Sequence, residues 1–183
     1  MVLLPGCRGS AASDGPTAQS ASAGAAPSPS DSPSDEGELA IHGSWRLEQT
    51  EADIRAALVQ SGFGDYADAF LREEDITDVL TQVLTVKGDR FAFAYLSEGQ
   101  PWHVGWKGPA TITPDAITLR DTFTGSQDQL SWTVEGDQLR FQVLQAAPGS
   151  FKGIPNEAFH RAYLTAAPFV RTTCQPQDRH CDA

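Results

Sequence analysis

From residue 79 onward, apolar and polar positions alternate with a period of two, broken only by short polar segments. The runs VLTQVLTV, RFAFAYL, WHVGW, ATIT, AITLRD, QLSWTV and QLRFQVL are separated by KGD, SEGQP, KGP, PD, a longer polar loop and EGD. Side chains alternate across a strand, so each run predicts a strand with one buried face, and connections this short join antiparallel neighbours. Upstream, GSWRLEQ also alternates and stops at Thr50, a helix N-cap with Asp53 placed to answer it. EADIRAALVQSGF then sets Ile54, Ala57 and Leu58 on one helical face. Gly62 and Gly64 interrupt it, and DYADAFLRE restarts a second short helix with Tyr66, Ala69 and Phe70 as its apolar side. A further helix is expected at about 156–166, with FVRT as a closing strand. Eight or nine short strands in series predict a mainly β fold. The expected form is an antiparallel up-and-down meander curled into a barrel, with a helix pair after its first strand and a C-terminal helix, because closure removes the edges of a long meander.

The pattern is absent from the start of the chain. Residues 8–37 are almost wholly Ser, Ala, Gly, Pro and Asp, with no aromatic and no branched aliphatic side chain. Such a segment buries too little apolar area to offset chain entropy and is expected to be a disordered tether. A coil of that length reaches roughly 30 Å. The expected organisation is therefore a start and tether at 1–40, a barrel at 41–173 and a tail at 174–183.

Charge adds an exclusion. The formal net charge is −11, and residues 48–78 hold nine carboxylates against two arginines. That field repels phosphate backbones and anionic headgroups, so nucleic acid is not expected as a partner. The acidic run reads either as solvated helix faces or as a rim that attracts cations.

The opening VLLPGC resembles a bacterial lipobox: Leu4, Gly6 and Cys7 stand where that motif has its leucine, its small residue and its lipidated cysteine. The resemblance implies an extracytoplasmic protein, secreted or attached to the membrane through a lipid on Cys7 alone, with its signal encoded upstream of Met1. No run of eighteen apolar residues is present to span a bilayer as a helix. Cys174 and Cys181, with Pro176 to turn the chain, can close a disulfide loop worth roughly 2.5 kcal/mol in an ordered tail. A metal site from Cys174, His180 and Cys181 is the rival reading, and it lacks a fourth ligand.

Gly43-x-Trp45 on the first strand, the antiparallel meander and Arg171 on the closing strand resemble the calycin plan of lipocalins and fatty-acid-binding proteins. The helix pair between the first two strands is similar to the fatty-acid-binding arrangement. The resemblance implies that Trp45 seals one end of the barrel with Arg171 packed across it, while the helix pair lids the other end.

Chemistry-bearing motifs are sparse. His42, His103, His160 and His180 are scattered without metal-ligand spacing, and no Gly-x-Ser-x-Gly or phosphate-cradling glycine loop occurs. Asp121 and Asp128 could form a carboxylate pair only at a separation that sequence does not fix. No cofactor or metal is expected. Aromatic residues stand out instead: Phe91, Phe93 and Tyr95 on one strand face, Trp102 and Trp106 on another, Trp132 and Phe141 on late strands, and Phe70 in the lid. They are either core or the walls of a ligand cavity, since an eight-stranded barrel is just wide enough to be filled or to hold one small molecule. Ala92, Ala94 and Gly105 alternate with the bulky residues, so space exists if that small face points inward. The expected function is non-catalytic binding of a small apolar or amphipathic ligand. The alternatives are a structural module with a filled barrel, or a haem or hydrolase-type barrel using His103 or His160.

Overall fold

The computed structural model of the protein describes residues 40–97 and 101–174. Strand β1 (Gly43–Thr50) leads into helix α1 (Glu51–Gln60), a 3-10 turn at Gly64–Tyr66 and helix α2 (Ala67–Glu73). Strands β2 (Val79–Lys87), β3 (Arg90–Ser97), β4 (His103–Ile112), β5 (Ala116–Arg120), β6 (Gln127–Glu135) and β7 (Gln138–Gln145) follow as a meander. A small hairpin of β8 (Ser150–Phe151) and β9 (Ile154–Pro155) precedes helix α3 (Asn156–Leu164), and β10 (Phe169–Thr172) ends the domain. The barrel closes in the order β1-β10-β7-β6-β5-β4-β3-β2, with every pair antiparallel. The chain is thus a mainly β, eight-stranded up-and-down barrel, compatible with the calycin plan.

The count of strands depends on one glycine. The sequence suggested a loop at Lys107-Gly108-Pro109, yet β4 runs through it as one strand from His103 to Ile112. Gly108 permits this: a Cβ there would lie 2.0 Å from the Arg120 carbonyl oxygen, so only a residue without a side chain lets the two backbones approach. Pro109 pairs with Arg90 on the neighbouring strand, and the next residue, Ala110, donates its N–H to the Asp89 carbonyl at 2.7 Å.

The bulky face of β3 points inward. Phe91 and Phe93 are fully buried in the central cluster with Leu84 and Val86 from β2, Leu130 from β6 and Phe169 from β10, while Ala92 and Ala94 lie on the opposite face. Much of the interior is therefore packed with side chains. A bulge where β3 meets β4 pairs Phe93 with Trp106 but Ala94 with Val104, leaving Gly105 as the extra residue. That extra residue breaks the alternation on which Trp102 and Trp106 were expected to share a face; Trp102 precedes β4 and is half-buried.

One end is closed by Trp45. Its indole N–H donates to the Ile41 carbonyl at 2.8 Å, and the Arg171 guanidinium lies 4.1 Å over its ring. Arg171 pairs with Trp45 across β1 and β10 and donates to the His42 and Ala40 carbonyls at 3.1 and 2.9 Å. Gly43 makes room for this lid: its φ of +129° suits glycine, and a Cβ there would come within 2.9 Å of the Arg171 Nη1.

Helices cap the other end. Thr50 and Asp53 form the reciprocal capping box expected at the start of α1, with the Asp53 N–H donating to Thr50 Oγ1 at 3.3 Å and the Thr50 N–H donating to Asp53 Oδ2 at 2.8 Å. The Thr50 hydroxyl, which also donates to Asp53 Oδ2 at 2.7 Å, and then the Thr50 N–H hold the Asp53 carboxyl below the usual range. Helix α3 is tied to the barrel interior by Gln49, whose amide donates to the Ala162 carbonyl at 3.0 Å and accepts from the Gln82 amide.

Candidate functional site

Between the helical cap and the strand ends lies a pocket of about 370 Å³. Helix α3 supplies one wall: Phe159, His160 and Tyr163 share one side of it, while Ala158 and Ala162 are completely buried. Strands supply the facing wall, with Tyr95 from β3 and Gly105 and Trp106 from β4. Glu74, the C-cap of α2, completes the lining.

Aromatic contacts lock the walls. Trp106 stacks on Phe93 with centroids 4.8 Å apart, and the Tyr163 ring lies 5.5 Å from Trp106, 5.7 Å from Tyr95 and 5.8 Å from Phe93. Behind Tyr163, Phe70 packs at 5.3 Å and Phe159 at 6.4 Å. Such offset and edge contacts fix ring orientation as well as burying area.

The polar groups are few and specific. The Tyr163 hydroxyl donates to Glu74 Oε2. Burial pushes the Glu74 carboxyl up, with the Tyr163 hydrogen bond opposing it, and burial together with Glu74 pushes the Tyr163 hydroxyl well up. Tyr95 is also raised, by burial first and by Glu74 second. His160 packs 5.2 Å from the Trp106 indole. Its Nε2 lies 2.8 Å from Asp128 Oδ1, which also accepts the Ala147 N–H at 2.7 Å. Both His160 and Asp128 are 7% exposed. With an N–H on the nitrogen that faces the carboxylate, a neutral ring presents Nδ1 as a lone pair. That Nδ1 is buried and has no hydrogen-bond partner among the described residues.

The structure separates the aromatic candidates. Tyr95 and Trp106 line the pocket, whereas Phe91 and Phe93 are in the packed core. Trp132 and Phe141 also belong to the core and pair across β6 and β7, with the Trp132 indole donating to the Thr113 carbonyl at 3.1 Å. Phe70 is fully buried beneath α3. Cys174 is the last described residue of the tail; Cys7, His180 and Cys181 lie outside the described residues, as does the tether through residue 39. Among the described residues, no group of three His, Cys, Asp or Glu is arranged to hold a metal ion. The sequence reading did not place Phe159, Tyr163 or Glu74 in a site. The available signal was the 159/160/163 spacing, which puts two aromatics and a histidine on one side of a helix.

Comparison of the chain with protein-family models, with characterised proteins and with solved structures finds no match.

Proposed function

We propose that the protein is a non-catalytic, extracytoplasmic lipoprotein that binds a small apolar or amphipathic ligand at the helical end of its barrel. The pocket carries this reading: about 370 Å³ is within the range of small-molecule sites, and an aromatic wall with a few fixed polar groups is their usual chemistry. The aromatic faces take the apolar body of a ligand, and Glu74 and His160 set its orientation. The closed barrel order and the Arg171 guanidinium over Trp45 support a calycin-like assignment. Leu4, Gly6 and Cys7 support attachment through a lipid, Cys174 and Cys181 support an oxidised tail, and the charge of −11 argues against nucleic acid.

Titration of the full chain with the neutral apolar dye Nile red tests the pocket. Saturable dye brightening with quenching of Trp106 emission is expected, and Trp106→Phe should remove the quench. Failure of every apolar probe to enter would leave the filled barrel as a structural module. For the address, the chain expressed behind a lipoprotein signal should partition into detergent, and Cys7→Ser should move it to the medium; equal partitioning of the two forms overturns the anchor.

A further inference from the structure

The pocket holds more acceptors than its own structure uses. Glu74 receives the Tyr163 hydroxyl through Oε2, and His160 keeps an unpartnered nitrogen although the residue is more than nine-tenths buried. A buried polar atom without a partner is costly and calls for an explanation at the site. Among the described residues, no lysine or arginine lines the cavity to answer either group. Trp106 lines the same cavity, 5.5 Å from the Tyr163 ring that carries the bond to Glu74 and 5.2 Å from His160. An indole face in that position attracts a cation through its quadrupole.

We infer that the pocket binds a cationic amphiphile, a small primary or secondary amine. Its ammonium head donates to the Glu74 carboxylate and to the His160 Nδ1 lone pair over the Trp106 ring, and its apolar body lies against Phe159 and Tyr95. This rests on the ligand-binding reading of the same pocket. An ammonium has several N–H donors and no acceptor, matching a site that offers lone pairs and π faces. A neutral hydrocarbon would leave the His160 Nδ1 unmet and add nothing to Glu74, and a carboxylate would meet Glu74 with a like charge.

The mouth has the same bias. An adjoining hollow shares Glu74 and Tyr95 with the pocket and adds Glu73, Asp75 and His103. Lys152 pairs with Glu73 and lies 5.2 Å over the Phe151 ring, and among the described residues no cation pairs with Glu74 or Asp75. The acidic run of the sequence thus contributes three carboxylates to this rim.

A matched set of ligands tests the inference by calorimetry on the full chain: phenethylamine, its alcohol phenethyl alcohol, and the carboxylate hydrocinnamate. The amine is expected to bind about ten- to a hundredfold more tightly than the alcohol, the scale of one or two charge-assisted hydrogen bonds, and the carboxylate more weakly than either. Glu74→Gln should bring the amine down toward the alcohol. His160→Phe should also weaken the amine, with circular dichroism confirming that each variant remains folded. If Nile red enters but amine and alcohol bind alike, the amine inference fails while the pocket reading stands. Tighter binding of hydrocinnamate overturns it as well, since His160 would then be acting as a donor. If neither Nile red nor any of the three ligands binds, the pocket reading falls and this inference with it.

Discussion

The two ends of the barrel use aromatic residues in opposite ways. At the closed end Trp45 is fully buried, its N–H is met by Ile41, and the guanidinium covering it is met by two backbone carbonyls. At the helical end Trp106 and Tyr95 stay half-buried, and His160 keeps an unmade hydrogen bond. The closed end has one exception of its own, the buried His42 Nε2. The difference is in what the polar groups face: backbone carbonyls at one end, a cavity at the other. One arrangement closes a fold, and the other borders a cavity.

The sharpest way to break this comparison is to truncate one large aromatic at each end. Trp45→Ala should cost roughly 3–5 kcal/mol in denaturant unfolding, the range for deleting a buried aromatic. Phe70→Ala should cost a similar amount, because Phe70 is fully buried although it belongs to the helical end. If Trp45→Ala unfolds no more easily than the parent, the closed end is not a packed seal. If Phe70→Ala is harmless, the helices are a loose lid rather than part of the core.

Asp128→Ala comes next. It removes the carboxylate shared by His160 and the Ala147 N–H, and stranding those groups is worth about 1–3 kcal/mol. Chemical unfolding should show that loss, and the amine affinity should fall with it as His160 loses the contact that orients it. A smaller effect is expected at the junction of β1 and α1, where Thr50→Ala should cost about 1 kcal/mol through loss of the capping box. An unchanged midpoint there would mean that packing alone holds the helix entry.

The smallest expected effect is a slope with pH. Burial raises the folded-state pKa of Glu74, so the folded protein binds that proton more tightly than the unfolded chain does. The associated stability is complete below the ordinary glutamate value and is lost as pH rises through the raised one. Glu74→Gln should flatten that part of a stability-versus-pH curve while keeping an acceptor for Tyr163. A slope identical in both forms would show that Glu74 ionises without cost and is better hydrated than its position indicates.

Legibility in the sequence followed the range of the interaction. The strand series was readable because alternation is local, and the α1 entry because Thr50 and Asp53 are neighbours in the chain. Lys107-Gly108-Pro109 was misread as a loop because what makes it strand is the Arg120 carbonyl on another segment. The pocket was only partly readable: Tyr95 and Trp106 stood out as aromatics, but the Tyr163–Glu74 bond spans 89 positions and the Gln49–Ala162 bond 113.

By itself, the sequence determined a mainly β meander with helices after its first strand and before its last, since period, caps and short turns act over a few residues. Tertiary structure decided the rest. Sequence left open which face of Phe91-Ala92-Phe93-Ala94 would be the inside, because alternation is symmetric until the sheet closes and gives one face to the core. Sequence placed Trp102 and Trp106 on one strand face, because alternation alone does not reveal the one-residue bulge at Gly105 that changes the phase. The pairing of His160 with Asp128 and of Tyr163 with Glu74 arises only when α3 is laid across the barrel mouth, where burial strengthens each polar contact.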